Sequence, residues 1–415
     1  MRAPVNADIA KQHYAAEAAK IVRSCVHCGF CNATCPTYQL SGDELEGPRG
    51  RIYLIKTLLE EGHAGATTQQ HLDQCLLCRN CETTCPSGVK YVELSELVLP
   101  EAKRDNPTSW HDRLVRRLLV AVVPYPRRFR PLVALGRLAK PLLPRTLADK
   151  LPPRAPLSHG VLNRTAAGAR HQRRVLLLGG CAQAVLRPSI DVAATAVFDR
   201  VGITLIALPQ SGCCGALSLH LGHREAAVAQ AKQNLDAWWP DIENGAEAVM
   251  ATSSGCGVQL KDYAALLADE PDYAERATRL QAMVCDPIEL LDIEALKTAL
   301  DDRPRADIAF QAPCTLQHGQ RLRGRVEAAL TALGWQLQPV NEAHLCCGSA
   351  GAYSVLHPQQ ATQLRTRKLS HLLASSPTQI VTSNIGCQLH LSADAPVPVN
   401  HWLELLAAAL NTRAE

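Results

Sequence analysis

Two stretches decide the reading of this chain: Cys25-Val-His-Cys28-Gly-Phe-Cys31-Asn-Ala-Thr-Cys35-Pro36 and Cys75-Leu-Leu-Cys78-Arg-Asn-Cys81-Glu-Thr-Thr-Cys85-Pro86. Each sets three cysteines two residues apart, then a fourth after three more residues, then a proline. Three thiolates at that spacing can wrap three irons of one cubane. Zinc prefers Cys-x2-Cys pairs separated by ~12 to 20 residues, which is not the pattern here. His27 stands between the first ligands. Four cysteines already complete each cluster, so it reads as a hydrogen-bond donor that tunes potential, or simply as an exposed side chain.

Both runs are similar to the bacterial two-cluster ferredoxin run, in which the proline redirects the fourth cysteine to the other cluster. That similarity assigns Cys25, Cys28, Cys31 and Cys85 to 4Fe-4S cluster I, and Cys75, Cys78, Cys81 and Cys35 to 4Fe-4S cluster II. Such clusters move single electrons and make no bonds in an organic substrate. The sequence has no Gly-rich dinucleotide fingerprint, no P-loop and no His-Glu-x-x-His. A flavin or other two-electron site is therefore expected on another chain, and no catalytic residue is assigned in this one.

At 415 residues, 47% of them hydrophobic, there is room for two or three domains. No stretch approaches the ~18 consecutive apolar residues of a spanning helix. The segment from Met1 to Lys20 lacks the features of a signal peptide. A cytoplasmic location is the expectation, and there thiols stay reduced, so the 17 cysteines read first as ligands. The net charge of +4 conceals an asymmetry: between Lys103 and Arg174 there are 17 Lys or Arg against three acids, leaving −10 for the remainder. A basic segment between acidic blocks suits an acidic partner or an anionic membrane face, or is a solvated linker. No nucleic-acid partner is indicated.

Four zones follow. Residues 10–103 read as a mostly helical two-cluster domain, with a helix opening at Pro48 and ending at Gly62. Residues 104–173 form a basic, proline-rich linker in which long helices are not expected. Short amphipathic pieces survive there, over Trp110 to Val123 and Leu132 to Leu143. Residues 174–300 and 301–415 are copies of one α/β unit. Each has a strand leading to a cysteine (Cys181, Cys314), a Cys-Cys-Gly (213–215, 346–348) and a strand leading to Gly-Cys (255–256, 386–387). The first three cysteines are offset by 133 residues and the fourth by 131. The fold class is thus α+β and multi-domain, a helical ferredoxin-like domain followed by a duplicated α/β Cys-Cys-Gly domain with pseudo-twofold symmetry.

Over nearly its full length the chain resembles the iron-sulfur subunit of bacterial glycolate oxidase (glycolate dehydrogenase). The resemblance rests on residues 25–31, Gly-Pro-Arg-Gly-Arg-Ile (47–52), residues 78–86, Ala-Trp-Trp-Pro (237–240) and both Cys-Cys-Gly blocks. It implies a membrane-associated complex in which FAD-bearing subunits oxidise glycolate to glyoxylate. This chain would pass their electrons to a quinone-type acceptor from the cytoplasmic face of the inner membrane. The equivalent subunit of a lactate-utilisation or anaerobic glycerol-3-phosphate dehydrogenase complex uses the same parts. A catalytic subunit like heterodisulfide reductase and a zinc-stabilised scaffold are the other readings.

The Cys-Cys-Gly units resemble a domain of those same families in which the last cysteine belongs to a Cys-x-x-Cys. Here Gln259 and His390 stand at the second positions. Each lobe keeps four cysteines as a candidate for a further cluster or zinc: Cys181, Cys213, Cys214 and Cys256, and Cys314, Cys346, Cys347 and Cys387. His390 is a substitute ligand in the zinc reading. Cys285 lies outside the repeat and reads as a structural thiol.

Overall fold

Prolines and glycines cut the cysteine-rich region into short helices that share one apolar core. The computed structural model describes residues 3–10, 12–106, 108–142, 171–300 and 305–411. Its first helices of more than three turns are α1 (His13–Ser24), α2 (Pro48–Glu61) and α3 (Tyr91–Asp105). Pro48 supplies a preset φ at the first helical position, and Gly62 closes α2 at φ +86°. Ile52, Ile55, Leu58 and Leu59 form the buried stripe of α2 and pack with Ala18, Val22, Leu94 and Val98. Gly50 is needed for contact rather than for φ: a Cβ there would stand 2.1 Å from the carbonyl oxygen of Glu44. This lets the turn Glu44–Glu46 lie directly on α2, where Arg49 and Arg51 can reach it.

Two compact units are present. The first is Met1–Arg117 with His220–Gly222 and His344–Lys368; the second is Leu118–Leu219, His223–Ala343 and Leu369–Glu415. These divisions do not coincide with the boundaries read from the sequence. The segment carrying Cys346 and Cys347 lies inside the second repeat but is counted with the ferredoxin-like unit. Asn80 is one reason, since its Nδ2 donates both to Thr34 O (2.8 Å) and to His344 O (3.1 Å).

The second unit holds two four-stranded parallel sheets. The strands are β1 (Arg173–Leu177), β2 (Ile203–Ala207), β3 (Ala248–Met250), β4 (Val284–Cys285), β5 (Asp307–Gln311), β6 (Gln336–Leu337), β7 (Gln379–Thr382) and β8 (Val399–His401). Their orders are β2-β1-β3-β4 and β6-β5-β7-β8, the same topology twice. Helices cover both faces of such sheets, which is why the central strands are near-continuous apolar runs. Between the lobes, helix Ser189–Arg200 packs on Trp402–Asn411, and Arg325–Ala332 packs on Pro287–Leu290 and Ile293–Ala299. Each lobe's first long helix thus meets the other lobe's last helices, the exchange a pseudo-twofold axis requires. One core runs through both lobes, with Val197, Phe198, Phe310, Val326, Trp402 and Leu406 at its centre.

In the basic segment the helices are α4 (Trp110–Val122) and α5 (Pro126–Leu138). The second differs from expectation: it begins at Pro126 and continues through Pro131. Pro126 occupies the first position at no cost, and Pro131 forfeits one backbone bond that water can replace on an exposed helix. Residues 143–170 of the expected linker lie outside the described residues. Arg116 is buried in an ion pair with Asp73, which Lys103 also approaches at 2.8 Å. Burial opposes the Asp73 carboxylate, but the two cations hold it below its ordinary range.

Candidate functional site

Within the first unit the eight cysteines of the two runs surround two adjoining cavities. Cys35, Cys75, Cys78 and Cys81 line one, together with Thr37, Arg51, Arg79 and Tyr91. Cys25, Cys28, Cys31 and Cys85 line the other, with His27, Arg49, Pro86 and, from the shared wall, Cys81 and Tyr91. Each cavity therefore receives three thiols from one run and the fourth from the other. The local cause is visible in the turns. His27, Leu77 and Arg79 adopt φ of 57°, 51° and 59°, and Gly29 adopts 83°, which curls each Cys-x2-Cys-x2-Cys around a point. After each third cysteine a short helical turn (Phe30–Thr34, Asn80–Thr84) carries the fourth cysteine away toward the neighbouring cavity.

Crowding makes these thiols hard to ionise alone. Burial first, then Cys25, Cys85 and Cys28, push Cys31 up to about 11. Burial followed by Cys78 and Cys75 push Cys81 up further. Iron replaces the protons and removes this cost, so four such thiols around one space fit a 4Fe-4S cluster. Among the described residues no group of three or more His, Cys, Asp or Glu is arranged to hold a single metal ion. There is no disulfide among the 17 cysteines.

The surroundings of the two cavities differ. Arg51, 1% exposed, donates from Nε to His71 O (2.7 Å), from Nη1 to Thr37 Oγ1 (3.1 Å) and from Nη2 to Glu46 Oε2 (2.6 Å). Thr37 Oγ1 lies 3.3 Å from Cys35 Sγ. His71 Nδ1 lies 2.6 Å from the other Glu46 oxygen. At the second cavity Arg49 forks onto Glu44 at 2.5 and 3.0 Å, both side chains being well exposed to water. His27 Nε2 has no hydrogen-bond partner among the described residues, and burial, then Arg49, lower its pKa. Of these residues the sequence reading singled out only His27. Arg49 and Arg51 stood inside the quoted 47–52 motif, which was the available signal; Glu46 and His71 carried none.

In the first Cys-Cys-Gly lobe the four candidate thiols converge. Cys181 and Cys213, Cys213 and Cys214, and Cys214 and Cys256 are close enough for each thiol to perturb the ionisation of the next. The nearness of Cys213, then burial, push the Cys181 thiol up. Both glycines of the motif sit at φ near +90°, and a Cβ on Gly348 would stand 2.6 Å from the Ala361 carbonyl oxygen. Their amides donate to the first cysteine sulfur of each pair, at 3.5 Å (Gly215 to Cys213) and 3.4 Å (Gly348 to Cys346). In the second repeat, Cys346 and Cys347 belong to the first unit and Cys314 and Cys387 to the second. Gln259 and His390 are buried, and Gln259 Nε2 has no partner among the described residues. Cys285 sits on β4 and packs at the edge of the inter-lobe core.

These features define a two-cluster ferredoxin-type domain joined to a duplicated cysteine-rich domain. Residues 21–89 match the 4Fe-4S dicluster domain family, and residues 175–261 and 308–392 match the cysteine-rich domain family. The glycolate oxidase iron-sulfur subunit of Escherichia coli (strain K12) is 46% identical over 99% of both chains. A probable glycolate oxidase iron-sulfur subunit of Bacillus subtilis (strain 168) is 29% identical over 89% of this chain and 88% of its own. Lactate utilization protein A of Exiguobacterium sp. (strain ATCC BAA-1283 / AT1b) is 26% identical over 56% of this chain and 96% of its own. A crystal structure of a hypothetical protein from Helicobacter pylori shares the fold, with TM-score 0.55 at 10% identity over 96% of this chain and 73% of that one. The chain belongs to the family of glycolate oxidase iron-sulfur subunits and is an iron-sulfur electron-transfer protein.

Proposed function

We propose that this chain carries electrons between flavin subunits that oxidise glycolate to glyoxylate and a quinone-type acceptor at the membrane. The observation that supports it best is the pair of four-thiol cavities sharing Cys81 and Tyr91 in their common wall. In this reading Cys25, Cys28, Cys31 and Cys85 hold one 4Fe-4S cluster and Cys35, Cys75, Cys78 and Cys81 the other. Clusters held there supply one-electron redox chemistry and no bond making. The protein's own contribution is to hold the two sites side by side. FAD resides on the partner chains, which uncouple the two-electron donor into single electrons. Cys181, Cys213, Cys214 and Cys256 form a further candidate site for a cluster. The anaerobically purified chain alone should not oxidise glycolate with a dye acceptor, and activity should return on adding the flavin subunits. Turnover by the flavin-free chain would contradict the assignment.

The membrane-facing surface proposed is α4 and α5. Trp110, Leu114 and Leu118 are exposed on the first, and Leu132, Leu135 and Leu138 on the second. Arg113, Arg117, Arg127, Arg128 and Arg130 lie exposed among them, whereas Arg116 is occupied by Asp73. Among the described residues no helix is long and apolar enough to cross a membrane, so attachment would be peripheral, on the cytoplasmic face. Each basic residue near an anionic surface contributes about 1 kcal/mol. Neutralising Arg113, Arg117, Arg127 and Arg128 should therefore weaken sedimentation with anionic vesicles by a few kcal/mol, as should high salt. If vesicle binding is unchanged while pull-down of flavin subunits falls, the surface docks those subunits instead.

A further inference from the structure

Both cavities are lined by cysteine thiols, but their electrostatic environments differ. Arg51 is almost wholly buried and lines only the cavity of Cys35, Cys75, Cys78 and Cys81. Its countercharge Glu46 is not among the residues lining that cavity, so the pair presents its positive end to the thiols. Three donors fix the guanidinium in place, and Thr37 Oγ1, which accepts from Arg51 and donates to Glu46 O at 2.7 Å, lies 3.3 Å from Cys35 Sγ. At the other cavity the equivalent cation, Arg49, is forked on Glu44 with 37% and 41% of the two side chains exposed, where water and countercharge screen it.

Adding an electron to a cluster adds negative charge, and a fixed cation in a poorly screened interior stabilises that reduced form. We infer that Arg51 is a tuning residue that selectively raises the reduction potential of the cluster held by Cys35, Cys75, Cys78 and Cys81. This rests on the reading that both cavities hold clusters. The consequence is a polarised pair, in which Arg51 favours residence of the electron in the cavity of Cys35, Cys75, Cys78 and Cys81.

The test is an EPR-monitored redox titration of the full-length, anaerobically purified chain. Arg51→Met should move one midpoint to more negative potential, namely the one whose signal disappears in Cys35→Ser, and leave the other in place. Arg51→Lys, which keeps the charge but not the fork, should move it much less, and Arg49→Met should move neither midpoint comparably. Equal movement of both midpoints, movement of the wrong one, or an Arg51→Lys shift as large as that of Arg51→Met would overturn the inference. Should Arg51→Met lose iron from that cavity, Glu46→Gln decides. Removing the countercharge must move the same midpoint to more positive potential, and no shift or the opposite one would refute the role. Wild-type protein lacking iron and acid-labile sulfide would instead sink the underlying cluster reading.

Discussion

Replacing Cys35 by serine is expected to empty the cavity of Cys75, Cys78 and Cys81 while the cavity of Cys25, Cys28 and Cys31 keeps its cluster. In sequence Cys35 belongs to the first run, yet its sulfur lines the cavity built by the second. It is 6% exposed, so water has poor access to substitute for a lost thiolate. Iron should fall from about eight per chain toward about four, with sulfide in step. The reduced protein should then lose the coupled EPR signal of two neighbouring clusters and show one. Cys31→Ser should have the reciprocal effect. If Cys35→Ser instead abolished the cluster whose other ligands are Cys25, Cys28 and Cys31, the crossed arrangement would be wrong.

Trp402→Ala is expected to cost ~3–5 kcal/mol, the range for removing a large aromatic from a packed core. Trp402 is fully buried where the first lobe's helix Ser189–Arg200 meets the second lobe's Trp402–Asn411. The cavity left would lie in the one core that both sheets share, so the two lobes should lose stability together. Denaturant unfolding followed by tryptophan-independent circular dichroism measures this as a lower midpoint with an unchanged slope. Trp402 Nε1 has no hydrogen-bond partner among the described residues. Trp402→Phe, which forfeits no such bond, should cost only about 1–2 kcal/mol. A Trp402→Ala midpoint within error of wild type would mean that the lobes are stabilised elsewhere.

The spacing of Cys25 to Cys35 and Cys75 to Cys85 was enough to read the donor chemistry, because ligand spacing constrains which thiols can surround one inorganic core. The duplication was equally legible, since parallel sheets buried on both faces require apolar strands and the repeated cysteines mark the register between them. The behaviour of the basic segment was less so. Proline content suggested interruption, but a proline at the first position of α5 starts a helix and a second one costs a single bond. Likewise the sequence does not distinguish Arg116 from its basic neighbours, yet Asp73, distant in sequence, buries it in an ion pair.

What the sequence determined by itself is local: ligand types, their spacing, the strand and helix periodicities, and the glycines that make each Cys-Cys-Gly turn. The tertiary structure alone decided which charges face which thiols. Glu46 and His71 are 25 residues apart and meet only because α2 carries Arg51 between them. Cys346 and Cys347 fall in the ferredoxin-like unit, where His344 O accepts a hydrogen bond from Asn80. The reason is that Coulomb and hydrogen-bond energies depend on distance and solvent screening, and a sequence lists charges without stating which of them the fold will remove from water.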